Sequence, residues 1–204
     1  MNISERFSYL QNHKPGILDQ DTYFRSAVAL PLVDYRDKIC LLFEKRAASL
    51  KKQPGEICFP GGKIEKSDRD EAAAALRECC EELGLESAEI ELIAPLHVLV
   101  QPFKQIIYPY LCTIKDESKI KPSADEVDSL IYIPLEELAT IVPIHKQIEL
   151  KPQMPEDYPY ELIPNGKDYS WLKAYDQHYF YLWHGYTIWG MTARILRHLL
   201  TKIK

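Results

Sequence analysis

Glu78, Glu81 and Glu82 are the residues whose types and spacing can do chemistry in this chain. At about 100° per residue, positions i, i+3 and i+4 share one face of a helix, so three carboxylates converge on one place if this stretch is helical. Like charges at those spacings repel, and the arrangement costs helix stability unless a cation neutralises it. Hard oxygen donors suit Mg²⁺ or Mn²⁺, and a divalent ion held this way can clamp a diphosphate, polarise its phosphorus and acidify water. Arg77 stands four residues before Glu81 and can hold a carboxylate in place. Three glutamates alone could equally be a solvated acidic face. Pro60-Gly61-Gly62 just upstream makes the pattern more specific, because glycine permits a tight backbone approach to a ligand.

The element that must carry these residues is a helix over 68–83, rich in Ala, Leu and Glu, acidic in its first turn and closed by Gly84. Its opposite face, Ala73, Leu76, Cys80 and Leu83, is expected to dock on a core. Ahead of it, 26–33 and 38–44 are apolar, β-rich runs around a polar turn and read as a hairpin. A polar loop over 45–55 and a short strand over 56–59 lead to the Pro-Gly-Gly breaker. Beyond the helix, 90–100, 105–114 and 127–133 read as three strands, and a short helix begins at Pro134. Residues 1–14 read as a short helix ended by Pro15-Gly16, and 143–178, rich in Pro and Tyr, takes no clear assignment. In the last stretch Ile188, Met191, Ile195, Leu196, Leu199 and Leu200 recur at helical spacing, which predicts a C-terminal helix over about 186–203. Helices and strands mix without βα alternation, so the expected class is α+β or a three-layer sandwich, in a single domain spanning 1–204.

Residues 61–85, GGKIEKSDRDEAAAALRECCEELGL, resemble the signature of the Nudix hydrolase family, G-x5-E-x7-R-E-U-x-E-E-x-G-U with U aliphatic. Asp68 stands where the signature has Glu, eight residues rather than seven separate it from Arg77, and Cys79 takes an aliphatic position. Residues 46–62, RAASLKKQPGEICFPGG, are similar to the R-S-x-x-L-R-x-H-x-G-Q-V-A-F-P-G-G stretch of the coenzyme A pyrophosphatase branch, with Gln53 for the common His and Glu56 for the common Gln. The resemblance continues through Asp125-Glu126-Val127, Ile133-Pro134-Leu135 and Ile188-Trp189-Gly190-Met191-Thr192-Ala193, covering about 27–196.

It implies the Nudix fold, an α/β/α sandwich with a mixed central sheet. It also implies Glu78, Glu81 and Glu82 as metal ligands, one of which could activate water, with Gly62 offering its carbonyl and Arg77 as an orienting ion pair. Glu126 would act as base or further ligand, and Glu65 is a box acid near the metals. The reaction implied is hydrolysis of coenzyme A to phosphopantetheine and adenosine 3′,5′-bisphosphate. ADP-ribose, a dinucleotide or a nucleoside triphosphate could be hydrolysed on the same helix, and a nucleotide-binding regulatory module without turnover is the reading from another class.

A formal charge of −5 over 204 residues argues against a nucleic-acid polymer as partner, since that needs a basic surface. Arg46, Lys51 and Lys52 gather positive charge locally, suited to a 3′-phosphate or the diphosphate of a small nucleotide. Five cysteines with no CxxC pair favour neither a disulfide framework nor zinc. No run approaches the ~18 to 20 apolar residues of a membrane span, and the charged N-terminus does not read as a signal peptide, so a cytoplasmic location is expected. Tyr179, Tyr181, Trp183, Tyr186 and Trp189 fit adenine stacking, core packing or a homodimer interface, and 143–178 could lie over substrate or in a dimer contact.

Overall fold

The computed structural model describes residues 3–13 and 16–203; Pro15, half of the expected breaker, lies outside them. The N-terminal stretch forms α1 (Ile3–Arg6) and a 3-10 turn at Ser8–Leu10, less than the helix expected over 1–14. The first hairpin forms as expected, from β1 (Phe24–Tyr35) and β2 (Lys38–Arg46). Arg36 and Asp37 both take positive φ at its two-residue turn, the twist that matches paired strands. Then follow β3 (Ile57–Cys58), β4 (Gly61–Lys63), the helix α2 (Glu71–Leu83), β5 (Ile90–Pro95), β6 (Leu99–Gln101), β7 (Gln105–Ile114), β8 (Val127–Pro134) and α3 (Leu135–Thr140). The strand expected over 90–100 is split into β5 and β6: the β5 ladder shifts register between Leu92 and Ala94, its strand ends at Pro95, and Leu96 N–H makes one further bond to Pro109 O at 2.8 Å.

These eight strands form one mixed sheet in the order β3-β2-β1-β7-β5, with β4 on β1, β6 on β7 and β8 on β2. β1 and β7 run parallel from Phe24↔Gln105 to Leu32↔Thr113, and the other pairs are antiparallel. The unassigned segment 143–178 supplies β9 (Ile144–Leu150), which pairs with β10 (Ala174–Trp183), and β10 pairs in turn with β11 (Tyr186–Ile188). The closing helix α4 spans Gly190–Leu200, because Tyr186–Ile188 is taken by β11.

Strand alternation builds the three layers. Cys40 and Leu42 of β2, with Ala29 and Val33 of β1, face Cys79 and Leu83 of α2. Leu41 and Phe43, with Leu30, face Leu138 of α3 and Leu196 and Leu199 of α4. The architecture is therefore α+β, an α/β/α sandwich around a mixed sheet.

The end of α2 is fixed by Gly84, which caps it at φ 63 and donates its N–H to Cys80 O. A Cβ there would stand 2.1 Å from the Lys121 carbonyl oxygen. Gly84→Ala therefore meets both left-handed backbone strain and a clash, and is expected to lower unfolding free energy by about 2–4 kcal/mol. Urea unfolding checks this, and a midpoint equal to wild type would refute it.

Candidate active site

Asp70 starts α2 by accepting the Ala73 N–H at 2.8 Å, a side-chain N-cap. The face that docks is rotated from the one expected: Leu83 is buried as expected, and Leu76 and Cys80 pack only at the edge of the same cluster. Its buried residues are Ala74, Ala75, Cys79, Glu82 and Leu83, while Ala73, Leu76 and Cys80 are only partly covered. Small side chains explain the rotation: Ala74 and Ala75 pack on Ala27, and Cys79 joins the cluster containing Cys112, so the helix lies close against β1 and β7. This turn carries Glu82 inward and leaves Glu81 at the rim. The three carboxylates make a ladder of depth, with the Glu81 side chain 59% exposed, that of Glu78 17%, and Glu82 4% as a residue.

Arg77 organises the outer rungs. Its Nε and one terminal nitrogen grip Asp68 through two parallel bonds of 2.9 and 3.0 Å. The other terminal nitrogen donates to Glu78 at 2.9 Å and Glu81 at 3.2 Å, and a further N–H reaches the Lys63 carbonyl at 3.1 Å. Such forked, charge-assisted geometry is what lysine cannot reproduce. Arg77 holds the Asp68 carboxyl below its usual range, helped by the Glu65 N–H. The stretch between Asp68 and the N-cap is not helical, so the extra residue in the box leaves the register of Arg77 through Glu82 untouched.

The inner rung is held differently. Glu82 accepts the Gly61 N–H at 2.7 Å. Burial pushes its carboxyl well above the usual range, and the nearby charge of Glu44 adds to the rise. Glu44 is likewise pushed up by burial, opposed by the Cys58 thiol, which donates to it at 3.2 Å. Glu78 is raised by burial against the pull of Arg77. Gly62 fits under Glu78 only because it lacks a side chain: a Cβ there would come within 2.4–2.6 Å of the Glu78 carboxyl atoms.

Glu126 is exposed, yet its charge acts on Glu44, Glu78 and Glu82. Its loop is tied to α2 by Lys121 N–H to Leu83 O at 2.8 Å and Ser123 N–H to Glu82 O at 2.9 Å. Arg46 and Lys52 line a cavity of 480 Å³ together with Gly61 and Gly62, whereas Lys51 is exposed and does not line it. Phe24, Val28, Phe103, Ile107, Met191 and Ile195 give the same cavity apolar walls. Glu65 points to solvent, its carboxylate 3.5 Å from the Ser67 hydroxyl, and Tyr181 is a core residue at 2% exposure.

Sequence reasoning missed two members of this neighbourhood. Asp68 was visible only as a departure from the signature, and its role as the partner of Arg77 comes from the fold. Glu44 had a signal of its own, a charged residue in phase with the inward positions Cys40 and Leu42.

Among the described residues, no three acidic, histidine or cysteine side chains are already drawn tightly around one point. Each carboxylate leans on a protein donor: Glu82 on an amide, Glu44 on a thiol, Glu78 and Glu81 on Arg77. The donor set is nevertheless all oxygen, part buried and short of positive charge, which suits a hard divalent cation.

Stepped carboxylates on a helix, with a Gly-Gly turn beneath them and a basic pocket beside them, suit cation-assisted attack of water on a phosphorus anhydride. The NUDIX domain matches residues 23–154, and the chain belongs to the Nudix hydrolase family. It is a Nudix pyrophosphohydrolase, and enzymes of this family generally use divalent metal ions. Over 194 residues it is 28% identical to the peroxisomal coenzyme A diphosphatase NUDT7 of Mus musculus, covering 95% of this chain and 72% of that one. Over 180 residues it is 32% identical to the uncharacterized Nudix hydrolase NudL of Enterobacter sp. (strain 638), covering 88% and 82%. The NudL of Escherichia coli (strain K12) is 27% identical over 204 residues, covering 100% and 95%. Among the described residues no helix is long and apolar enough to cross a membrane.

Proposed function

We propose that this enzyme hydrolyses the diphosphate linkage of coenzyme A, giving phosphopantetheine and adenosine 3′,5′-bisphosphate. The observation that carries this reading is the cavity in which Arg46 and Lys52 stand beside Gly61-Gly62 while Phe24, Phe103, Met191 and Ile195 supply apolar walls. Basic groups suit the phosphates, and apolar walls suit adenine or the pantetheine arm. The mouse relative, a coenzyme A diphosphatase by name, points the same way.

Glu78, Glu81 and Glu82, with the carbonyl of Gly62, would hold Mg²⁺ or Mn²⁺. The bound cations would supply the positive charge that polarises phosphorus and acidifies the attacking water. Glu126 takes a proton from that water as its oxygen bonds to one phosphorus, and the bridging P–O bond breaks with the second phosphate as leaving group. Arg77 keeps Glu78 and Glu81 in register through the guanidinium they share. Glu65 would serve as a peripheral acid from the box loop, and Lys51 as a long-range attraction for phosphate. The whole of 1–204 would act as one domain on a small nucleotide, in the cytoplasm.

The test is product analysis with Mg²⁺ or Mn²⁺ on coenzyme A, ADP-ribose and a dinucleotide side by side. Coenzyme A is expected to be preferred and to release adenosine 3′,5′-bisphosphate. Faster turnover of either competitor would transfer the substrate assignment to it and leave the acid-bearing helix as described.

A further inference from the structure

Alternation along β2 sends Cys40, Leu42 and Glu44 to the α2 side of the sheet, and Glu44 is the charged member of that otherwise apolar row. It is 1% exposed. One carboxylate oxygen accepts the Cys58 thiol at 3.2 Å, while Oε2 is buried with no hydrogen-bond partner. The charges facing it are Glu82 and Glu78 from α2, Glu126 from the 121–126 loop and Arg46 from its own strand, so three of the four are negative. A buried carboxylate with one orphan oxygen, set opposite other carboxylates, is among the costliest groups a fold can carry. An amide or an aliphatic side chain would fill the same space without that cost.

We propose that Glu44 is a further carboxylate of the cation centre, presented from the sheet opposite Glu82 and Glu78 on the helix. This rests on the metal-centre reading above. A cation there supplies the partner that Glu44 Oε2 lacks, and the donor set becomes one carboxylate from below and two from above.

The probe is Mn²⁺ alone, titrated calorimetrically into the full chain. Glu44→Gln keeps the shape and an acceptor for Cys58, and is expected to weaken Mn²⁺ binding by about tenfold, the range found when groups supporting a metal site are removed. Glu44→Asp, which keeps the charge, is expected to recover most of that loss. Without added cation, the melting temperature of Glu44→Gln is expected to be no lower than wild type, because a buried unpaired charge has gone. Unchanged Mn²⁺ affinity in Glu44→Gln overturns the proposal, and a lowered melt with unchanged affinity assigns Glu44 to structure alone. A loss in Glu44→Asp as large as in Glu44→Gln also overturns it. If wild type itself binds no Mn²⁺, the metal-centre reading falls and this inference with it.

Discussion

Glu82→Gln is expected to lower hydrolysis by about a thousandfold while making the protein more stable in chelator at mildly alkaline pH. The loss follows from removing the deepest charge of the site, since a cation clamp supplies several kcal/mol of transition-state stabilisation. The amide keeps an oxygen for the Gly61 N–H at 2.7 Å, so the backbone around the Gly-Gly turn has no reason to move. The stability gain follows from the direction of the shift in Glu82. Its folded carboxyl is raised by burial and by Glu44, so between the ordinary carboxylate range and the raised value the folded state binds more protons than the unfolded one. Its contribution is fully present at low pH and is lost as pH rises through the folded value. In chelator, wild type should therefore lose stability relative to Glu82→Gln from about pH 5 upward. Saturating Mg²⁺ should restore it to wild type alone. Parallel melting curves for the two proteins across that range, or a mutant within tenfold of wild-type turnover, would sink the argument.

Gly62→Ala is expected to cost about a hundredfold in turnover with little change in stability, the usual penalty for misplacing a reacting group by about 1 Å. The added methyl would occupy the space of the Glu78 carboxyl, whose atoms stand 2.4–2.6 Å from where the Cβ would be. Glu78 must then withdraw from the turn, and Arg77, bonded to Glu78 and Glu81 together, passes the displacement to the outer rung. Adding Glu78→Asp, one methylene shorter, should return part of the activity. Steady-state kinetics on the single and double variants decides it: a single variant within about threefold of wild type removes the steric reading.

The parts of this molecule that were legible in the sequence are those whose chemistry is local. Gly84 closes α2 through a contact within one turn, and the turn at Arg36-Asp37 lies between two apolar runs, whereas the helix start expected at residue 68 falls at Glu71, after the Asp70 cap. The rotation of α2 was not legible, because Leu76 and Cys80 are as apolar as Ala75 and Cys79. Only the closeness of β1 and β7 selects the smaller pair. Glu44 escaped notice because its surroundings are assembled from residues 58, 78, 82 and 126, far apart along the chain. The pairing of β9 with β10 escaped for a simpler reason. β9 is exposed along nearly its whole length, and a strand with no buried face leaves no alternation to read.

The two ties from the 121–126 loop to the last turn of α2, with Gly84 packed under Lys121, join the acidic residues of helix and loop into one mechanical unit. The walls of the cavity come mostly from elsewhere, the 46–59 stretch, Phe24 and Val28 of β1, Phe103 and Ile107, and the first turns of α4, and the cavity meets the acidic site at Gly61-Gly62. Hydrolytic machinery and ligand preference are thus written largely on different stretches of chain that share the Gly61-Gly62 turn. Descendants of this protein can exchange the second for a new one while inheriting the first intact, and a designer seeking a new substrate should leave the tied half alone.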